Sequence, residues 1–529
     1  MRLSYGCPER ILIKNGTIID GTGNAGFVGS LLIEGDHIAD VIPGNAPTTD
    51  EVQETIDASG CFVTPGFIDA HSHSDAYLIL EPSAASKISQ GITTEINGQC
   101  GGSIAPRFGE ARLSGDWATL LAEKLTWRTL SEYRSQLEKA RPAVNTVQFV
   151  GHNTLRSSAM GYEPRSADED DLKKMTRLLE EAMDDGAWGL TTGLIYQPGR
   201  YALWEEVLHL AKVAASHDGF YATHMRSEGD RIEEAIDEVV ELARLSGIRA
   251  EISHLKTSGR NNWGKLSAVI DKIERAMSRG LLLGADRYPF TAAGTDLDIV
   301  LPDWAQAGAA VAEMERFASP VLRRRIVEEI DGSLRDWREV MIGGTWHDEN
   351  KKFSGLRVSE VCGSSPGEFI VSLLEKDVCK TGAFFFGMSE ENLDKILSLD
   401  WIVPGSDASL RTPWGALGED HPHPRAYATM PEFFRRLRSL GVTCEEAVKR
   451  MTSLPAGRFE ICLRGELKKG YFADVAVWKE NEFFSRSTYS KPHAFSSGMQ
   501  YVIVNGKISY RSGRFTDNRG GRFLERRKK

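Results

Sequence analysis

The 529-residue chain contains no run of about 18 consecutive apolar residues, so no membrane-spanning helix is expected and no membrane partner is read from it. Its first residues, MRLSYGCPERILIKNG, carry charges where a secretory signal needs an unbroken apolar core of about 7 to 15 residues. That points to the cytoplasm. Cysteine is scarce: seven residues, an odd number without regular spacing, do not read as a disulfide framework, and reduced thiols remain available as metal ligands. A basic surplus is missing too, because 64 Lys and Arg against 74 Asp and Glu give a formal charge of −10. This disfavours nucleic acid and anionic membranes as partners. The one local exception, RFLERRKK from Arg522 to Lys529, reads as part of a solvated basic tail over 516–529.

What is present is 41% hydrophobic residues, ample for a large core in a chain this long. Residues 1–63 and 461–515 offer short β-rich pieces with turns between them, such as ILIKNGTIID and YVIVNGKISYRSG. Similar texture at both ends predicts one small discontinuous β domain around a large insert. The insert, residues 64–460, alternates apolar strand-like runs with helical stretches such as DEDDLKKMTRLLEEAMDDG and RIEEAIDEVVELARLSG. Such alternation predicts a parallel α/β fold, and at this length a closed eight-stranded (β/α)8 TIM-type barrel. The eight candidate strands are GFIDAH, TTEING, VQFVGH, AWGLTTG, FYATH, AEISH, LLLGADRY and WIVPGSD. Between the last two lies an insertion over about 290–400, too long for a bare loop. With Trp304, Trp337, Trp346 and repeated helical segments, it is expected to be a helical lid over the strand ends or an inert insertion.

Chemistry-bearing residues gather at the C-terminal ends of those strands: His71 and His73, Cys100, His152, His224, His254, Asp286 and Asp407. In a barrel that rim carries the active site. In GFIDAHSHSD, residues Asp69, His71, His73 and Asp75 sit at every second position and share one face if the strand continues. The second His-x-His, His421 to His423, lacks such a setting. Cys100, in EINGQCGGS, is followed by glycines that permit close backbone approach. One Cys and two His, from Cys100, His224 and His254, leave a fourth coordination position open, the pattern of a catalytic zinc rather than a structural one. Lys256, two residues beyond His254, faces the same interior if the strand persists. Asp407 supplies the carboxylate that a metal-assisted hydrolase needs as general base.

GFIDAHSHSD, INGQCGGS, VGHNTLR, GLTTGLIYQPGRYA, YATHMRSEG, EISHLKTSG, DRYPFT, GSDAS, HPHPRAYAT, MTSLPAGRF, KKGYFADVAVW and YVIVNGK together resemble the N-acyl-D-amino-acid deacylase (D-aminoacylase) family of the amidohydrolase superfamily. The likeness runs from about Ile11 to about Ser512. It implies a (β/α)8 barrel with a β-sandwich built from both chain ends, and one tightly held Zn2+ at Cys100, His224 and His254. It implies a second, weaker metal site at His71, His73 and Asp407, with Asp407 as the acid/base residue. It also implies that Lys256, Tyr288 and Arg425 hold the α-carboxylate of a small N-acyl amino acid, and that Tyr196 lies in the pocket. The match at Arg425 is looser, because the loop from Ala408 to His421 varies in length. GQCG stands where many relatives have GNCG.

Residues Phe290 to Trp304 are expected to line the side-chain pocket, and they contain no Arg or Lys. A neutral or apolar D-amino acid is therefore expected, with Asp296 keeping a basic one open. Rival reactions are cyclic-amide hydrolysis of the hydantoinase or dihydroorotase type and deamination. The first needs a bridging lysine at the fourth strand end, where AWGLTTGL has none. A scaffold without chemistry should have lost ligands, and every expected ligand is present.

Overall fold

The computed structural model describes residues 9–44, 52–112, 120–121 and 125–526. Two chain segments far apart in sequence share one sheet. Strands Arg10–Ile18, Phe27–Glu34, His37–Pro43, Glu54–Asp57 and Phe62–Pro65 join Val475–Trp478, Met499–Val504, Lys507–Arg511 and Arg514–Phe515. The junction is the antiparallel pairing of Phe62–Pro65 with Val475–Trp478. Eight of the nine strands follow one hydrogen-bonded path, and Glu54–Asp57 branches off it beside Arg10–Ile18. The pairing at residues 62–65 joins the halves edge to edge, and register shifts such as those between Ile13 and Gly16 and between Val502 and Ile503 bend the path. Residues from distant strands, Ile13, Ile38, Ile503 and Ile508 among them, therefore meet in one buried cluster.

The parallel strands follow the sequence reading closely. Phe67–Asp69, Ile92–Asn97 and Asn145–Gln148 pair in order. Val150–Gly151, Gly189–Gly193, Phe220–His224, Arg249–Ile252, Leu283–Arg287 and Ile402–Pro404 continue the series. Asn145–Gln148 and Val150–Gly151 are two pieces of one run, separated at Phe149. At the other margin, Ala70 N–H donates to Pro404 O at 3.0 Å and Asp407 N–H to His71 O at 2.8 Å.

The connecting helices are amphipathic as read. In Glu169–Asp184 the buried residues Met175, Leu178, Leu179, Ala182 and Met183 recur at helical spacing, and Asp168 caps the N-terminus by accepting from Asp170 and Asp171 N–H. Helix Ile232–Ser246 ends at Gly247 in the left-handed conformation, a cap glycine adopts without steric cost. No helix among the described residues is long and apolar enough to cross a membrane.

The insertion differs from an all-helical lid. Ala293–Asp296, Gly382–Phe385 and Val340–Ile342 form a small antiparallel sheet, backed by helices including Pro320–Asp331 and Pro366–Asp377. Its own core contains Leu297, Phe317, Ile326, Ile370 and Leu374, with Trp304 and Trp337 packed against it. Strands of three or four residues are too short for their alternation to stand out in sequence. The tail also departs from expectation. Phe523–Leu524 add a parallel strand beside Thr146 and Val147, Trp188 Nε1 donates to Leu524 O at 2.7 Å, and Arg526 lies over the Phe220 ring at 4.7 Å. Arg526 is used for packing as well as charge.

Candidate active site

Strand Phe67–Asp69 stops before the histidines, so the four-residue alternation does not hold as one face. Asp69 instead accepts from buried Lys87 at 2.7 Å and from Ser406 N–H at 2.7 Å. Asp75 turns to Gln148 Nε2 at 2.5 Å, and burial pushes its pKa up to about 6. His71 and His73 do converge, and both approach Asp407 Oδ1, at 3.4 and 3.0 Å. His71 also lies 3.3 Å from Cys100 Sγ through Nε2, with Nδ1 against Asp286 Oδ2 at 3.1 Å.

Cys100 and His254 approach to 3.4 Å between Sγ and Nε2. Two groups result, each with ligand atoms all within 4.8 Å of one another: Cys100, His224 and His254, and His71, His73, Cys100 and Asp407. Cys100 belongs to both. Three of these residues, Cys100 (φ 52°), His254 (φ 39°) and Asp407 (φ 49°), have left-handed backbones, which is uncommon outside glycine and concentrates at functional sites. The bend at each takes the side chain out of the strand's alternation. At Cys100 it also needs a bare neighbour, since a Cβ on Gly193 would sit 2.1 Å from the Cys100 carbonyl oxygen.

The field is strongly mixed. Burial would raise the Cys100 thiol, but His71 and His254 beside it hold it well below its ordinary value. Burial opposes ionisation of Asp407 as well, and Arg425 and His254 overcome this to keep its carboxyl well below the usual range. The Arg425 Nη1 to Asp407 Oδ2 ion pair is 2.8 Å long. His254 is raised to about 10: burial and Lys256 pull it down, while Glu228, Asp407 and Cys100 prevail. The thiolate and carboxylates that make these imidazoles basic would equally attract a cation.

Lys256, Tyr288 and Arg425 come together. Tyr288 is buried with no hydrogen-bond partner for its hydroxyl; the Lys256 ammonium and Arg425 guanidinium stand 6.0 and 4.7 Å from its ring. Lys256 is ion-paired with Glu228. Tyr196 packs on His224, with ring centres 5.0 Å apart, and its hydroxyl accepts from Thr295 of the insertion at 3.2 Å. Arg425 Nη2 donates to Gly294 O of the same strand at 3.2 Å, so the insertion reaches the site.

His152 joins neither group: it pairs with Glu206 at 2.7 Å beneath Arg156, which bonds the same carboxylate. His423 is structural support. It accepts Arg425 N–H at Nδ1 (3.0 Å), and Nε2 faces Ala292 O (3.1 Å), while burial and Arg425 keep its pKa well below the ordinary value. Glu228, Lys87 and Tyr489, which bonds His423 at 3.2 Å, escaped the sequence reading. Only Glu228 left a signal there, four residues after His224 in THMRSEG.

Known proteins resemble this chain along nearly its whole length. Residues 54–288 match the model of the Amidohydrolase family. A D-aminoacylase of Alcaligenes xylosoxydans xylosoxydans is 33% identical over 527 residues, 98% of each chain. The chain belongs to the D-aminoacylase family of amidohydrolases. An N-acyl-D-glutamate deacylase of the same organism is 32% identical over 98% of this chain and 96% of its own. Among solved members of the family, the N-acyl-D-glutamate deacylase of Bordetella bronchiseptica, complexed with zinc and a phosphonate mimic of the tetrahedral intermediate, superposes with a TM-score of 0.82 at 30% identity, covering 98% of this chain and all of that one.

Proposed function

We propose that this D-aminoacylase family member is a zinc-dependent deacylase that hydrolyses N-acyl-D-amino acids with neutral or apolar side chains to a carboxylate and a free D-amino acid. The observation that carries the reading is the meeting of Cys100, His224 and His254 beside the Asp407–Arg425 ion pair. The proposed frame is a closed (β/α)8 barrel over 64–460, supported by the hydrogen bonds between residues 70–71 and 404–407. The described residues of 1–63 and of 461–515 are its companion β unit.

One sulfur and two imidazoles are a zinc donor set. His224 Nδ1 is buried without a hydrogen-bond partner, a costly state for a polar group unless it has another ligand to bind, while Nε2 has the Glu228 carboxylate 3.6 Å away. His71, His73 and Asp407, sharing Cys100, would form a weaker second site. Bound at the first site, zinc supplies Lewis acidity toward the scissile carbonyl and the water. Asp407, kept ionised by its neighbours, takes the proton of the attacking water and returns it to the leaving nitrogen. Lys256, Tyr288 and Arg425 hold the α-carboxylate. Both cations rest on carboxylates, Lys256 on Glu228 and Arg425 on Asp407, while Arg425 Nε has no hydrogen-bond partner and is a donor for the substrate. The Tyr196 hydroxyl, already accepting from Thr295, keeps its own proton for a substrate oxygen.

This clamp presents one face of the α-carbon to the reacting atoms and so separates D from L. Side-chain preference follows from strand Ala293–Asp296. Thr295 faces Tyr196, so its neighbour Asp296, which is exposed, points to the opposite face. The segment 290–304 contains no cation for an acidic side chain, and with Asp296 turned away an uncharged one fits best.

Steady-state kinetics of the zinc-loaded protein on N-acetyl and N-formyl D- and L-amino acids test the proposal. Turnover of neutral D-substrates and none of L-substrates is expected. In parallel, Cys100→Ala should lose zinc. A zinc-replete protein inactive on the whole panel, or a Cys100→Ala variant with full metal content, overturns the reading.

A further inference from the structure

We propose that Glu228 is the shared outer partner of both zinc histidines, a positioning residue that fixes the ring nitrogen each offers to the metal. The inference rests on the zinc reading above. Glu228 lies on the segment after strand Phe220–His224, and its carbonyl accepts Ser258 N–H at 2.7 Å, tying that segment to the one that follows His254. Its side chain is 11% exposed. Oε1 lies 2.9 Å from His254 Nδ1, and Oε2 lies 3.6 Å from His224 Nε2. The Lys256 ammonium is ion-paired to Oε1 as well.

A neutral imidazole that gives one nitrogen to a metal carries its proton on the other, and a hydrogen-bond acceptor at that second nitrogen fixes which is which. His254 turns Nε2 toward Cys100 Sγ and Nδ1 toward Glu228. His224 turns Nε2 toward Glu228, which leaves Nδ1 for the metal. One carboxylate therefore faces the off-metal nitrogen of both ligands, within hydrogen-bond distance of His254 Nδ1 and, at 3.6 Å, by charge alone toward His224 Nε2.

Lys256 makes a carboxylate necessary. Its ammonium is 2.8 Å from His254 Nδ1 and can itself donate to that nitrogen, which would place the ring proton on Nε2 unless an acceptor claims an Nδ1–H. Glu228 Oε1 is that acceptor. Without it, Lys256 would donate to a bare Nδ1, the proton of His254 would move to Nε2, and the nitrogen facing Cys100 would no longer be a ligand. An uncharged amide at 228 cannot accept from all three donors, because one end of it is itself an N–H group.

The test reads zinc affinity without substrate, by titrating the apo-protein with zinc against a chromogenic chelator. Glu228→Ala and Glu228→Gln should each bind zinc more weakly, by about 10- to 100-fold for the alanine variant. Because Lys256 loses a buried partner, the apo-variants should melt below the wild type, so affinity is read on the folded fraction, and the cobalt-substituted variants should have altered visible spectra. If Glu228→Ala does not fold, Glu228→Gln, which keeps the size of the side chain, decides. Wild-type zinc affinity in a folded variant overturns the role of Glu228 alone. A wild-type protein that takes up no zinc overturns the metal reading, and the role of Glu228 with it.

Discussion

Replacing Lys87 with methionine tests how the residues around Asp407 are held. The side chain is wholly buried. Its ammonium donates to Asp69 Oδ2 at 2.7 Å, Ser72 Oγ at 3.1 Å, Ser406 Oγ at 2.9 Å and Ala408 O at 2.8 Å, and it pairs with Glu95 at 3.0 Å. Burial works against the charge, but Asp69 and Glu95 raise its pKa, so it is a cation joining three chain segments. Lys87→Met keeps most of the apolar stem and removes the charge. Truncating one partner of a buried pair costs about 3–5 kcal/mol. Here the lower end applies, about 3 kcal/mol, because Asp69 still accepts from Ser406 and Glu95 still accepts from the Ser72 and Ser74 hydroxyls. A second change, Asp69→Asn, should recover part of that loss by removing the charge left behind, a coupling measurable as a double-mutant cycle. Denaturant unfolding followed by circular dichroism reads both. A Lys87→Met variant as stable as the wild type, or a double variant no better than the sum of the singles, refutes the argument.

Two further outcomes follow from the site and its surroundings. Asp407→Ala should keep its zinc content by metal analysis while kcat on an N-acetyl-D-amino acid falls by about 10²- to 10⁴-fold; near-normal turnover would remove Asp407 from the chemistry. Glu251, 3% exposed, is raised from 4.5 to about 7 by burial, with Arg458 only partly offsetting this. The folded protein therefore keeps a proton that the unfolded chain releases. Stability from this group is full below pH 4.5 and is lost as pH rises to about 7, roughly 3 kcal/mol in all. Glu251→Gln should flatten that part of the pH–stability curve, and an unchanged slope would show that Glu251 ionises normally.

The strand ends were readable because each apolar run stops at a polar residue, and His71, Cys100, His224, His254 and Asp407 all lie at or just beyond such stops. The left-handed backbones at Cys100, His254 and Asp407 left no mark, since none of the three is glycine. Lys87 was invisible for another reason: its partners Ser406 and Ala408 are more than 300 residues away, and no local pattern encodes such a contact. Short length hid the rest, namely the insertion's strands and the two-residue strand at Phe523–Leu524. The bend in the terminal sheet depends on register shifts that alternation alone does not reveal.

The pairing of Phe62–Pro65 with Val475–Trp478 also sets a timetable for biosynthesis. A ribosome adding about 5–20 residues per second needs roughly 20–80 s to travel from the first of these strands to the second. Throughout that interval the early strand presents an unpaired edge to every other nascent chain nearby. A product interrupted before residue 475 should consequently precipitate or be held by chaperones rather than persist as a smaller working enzyme.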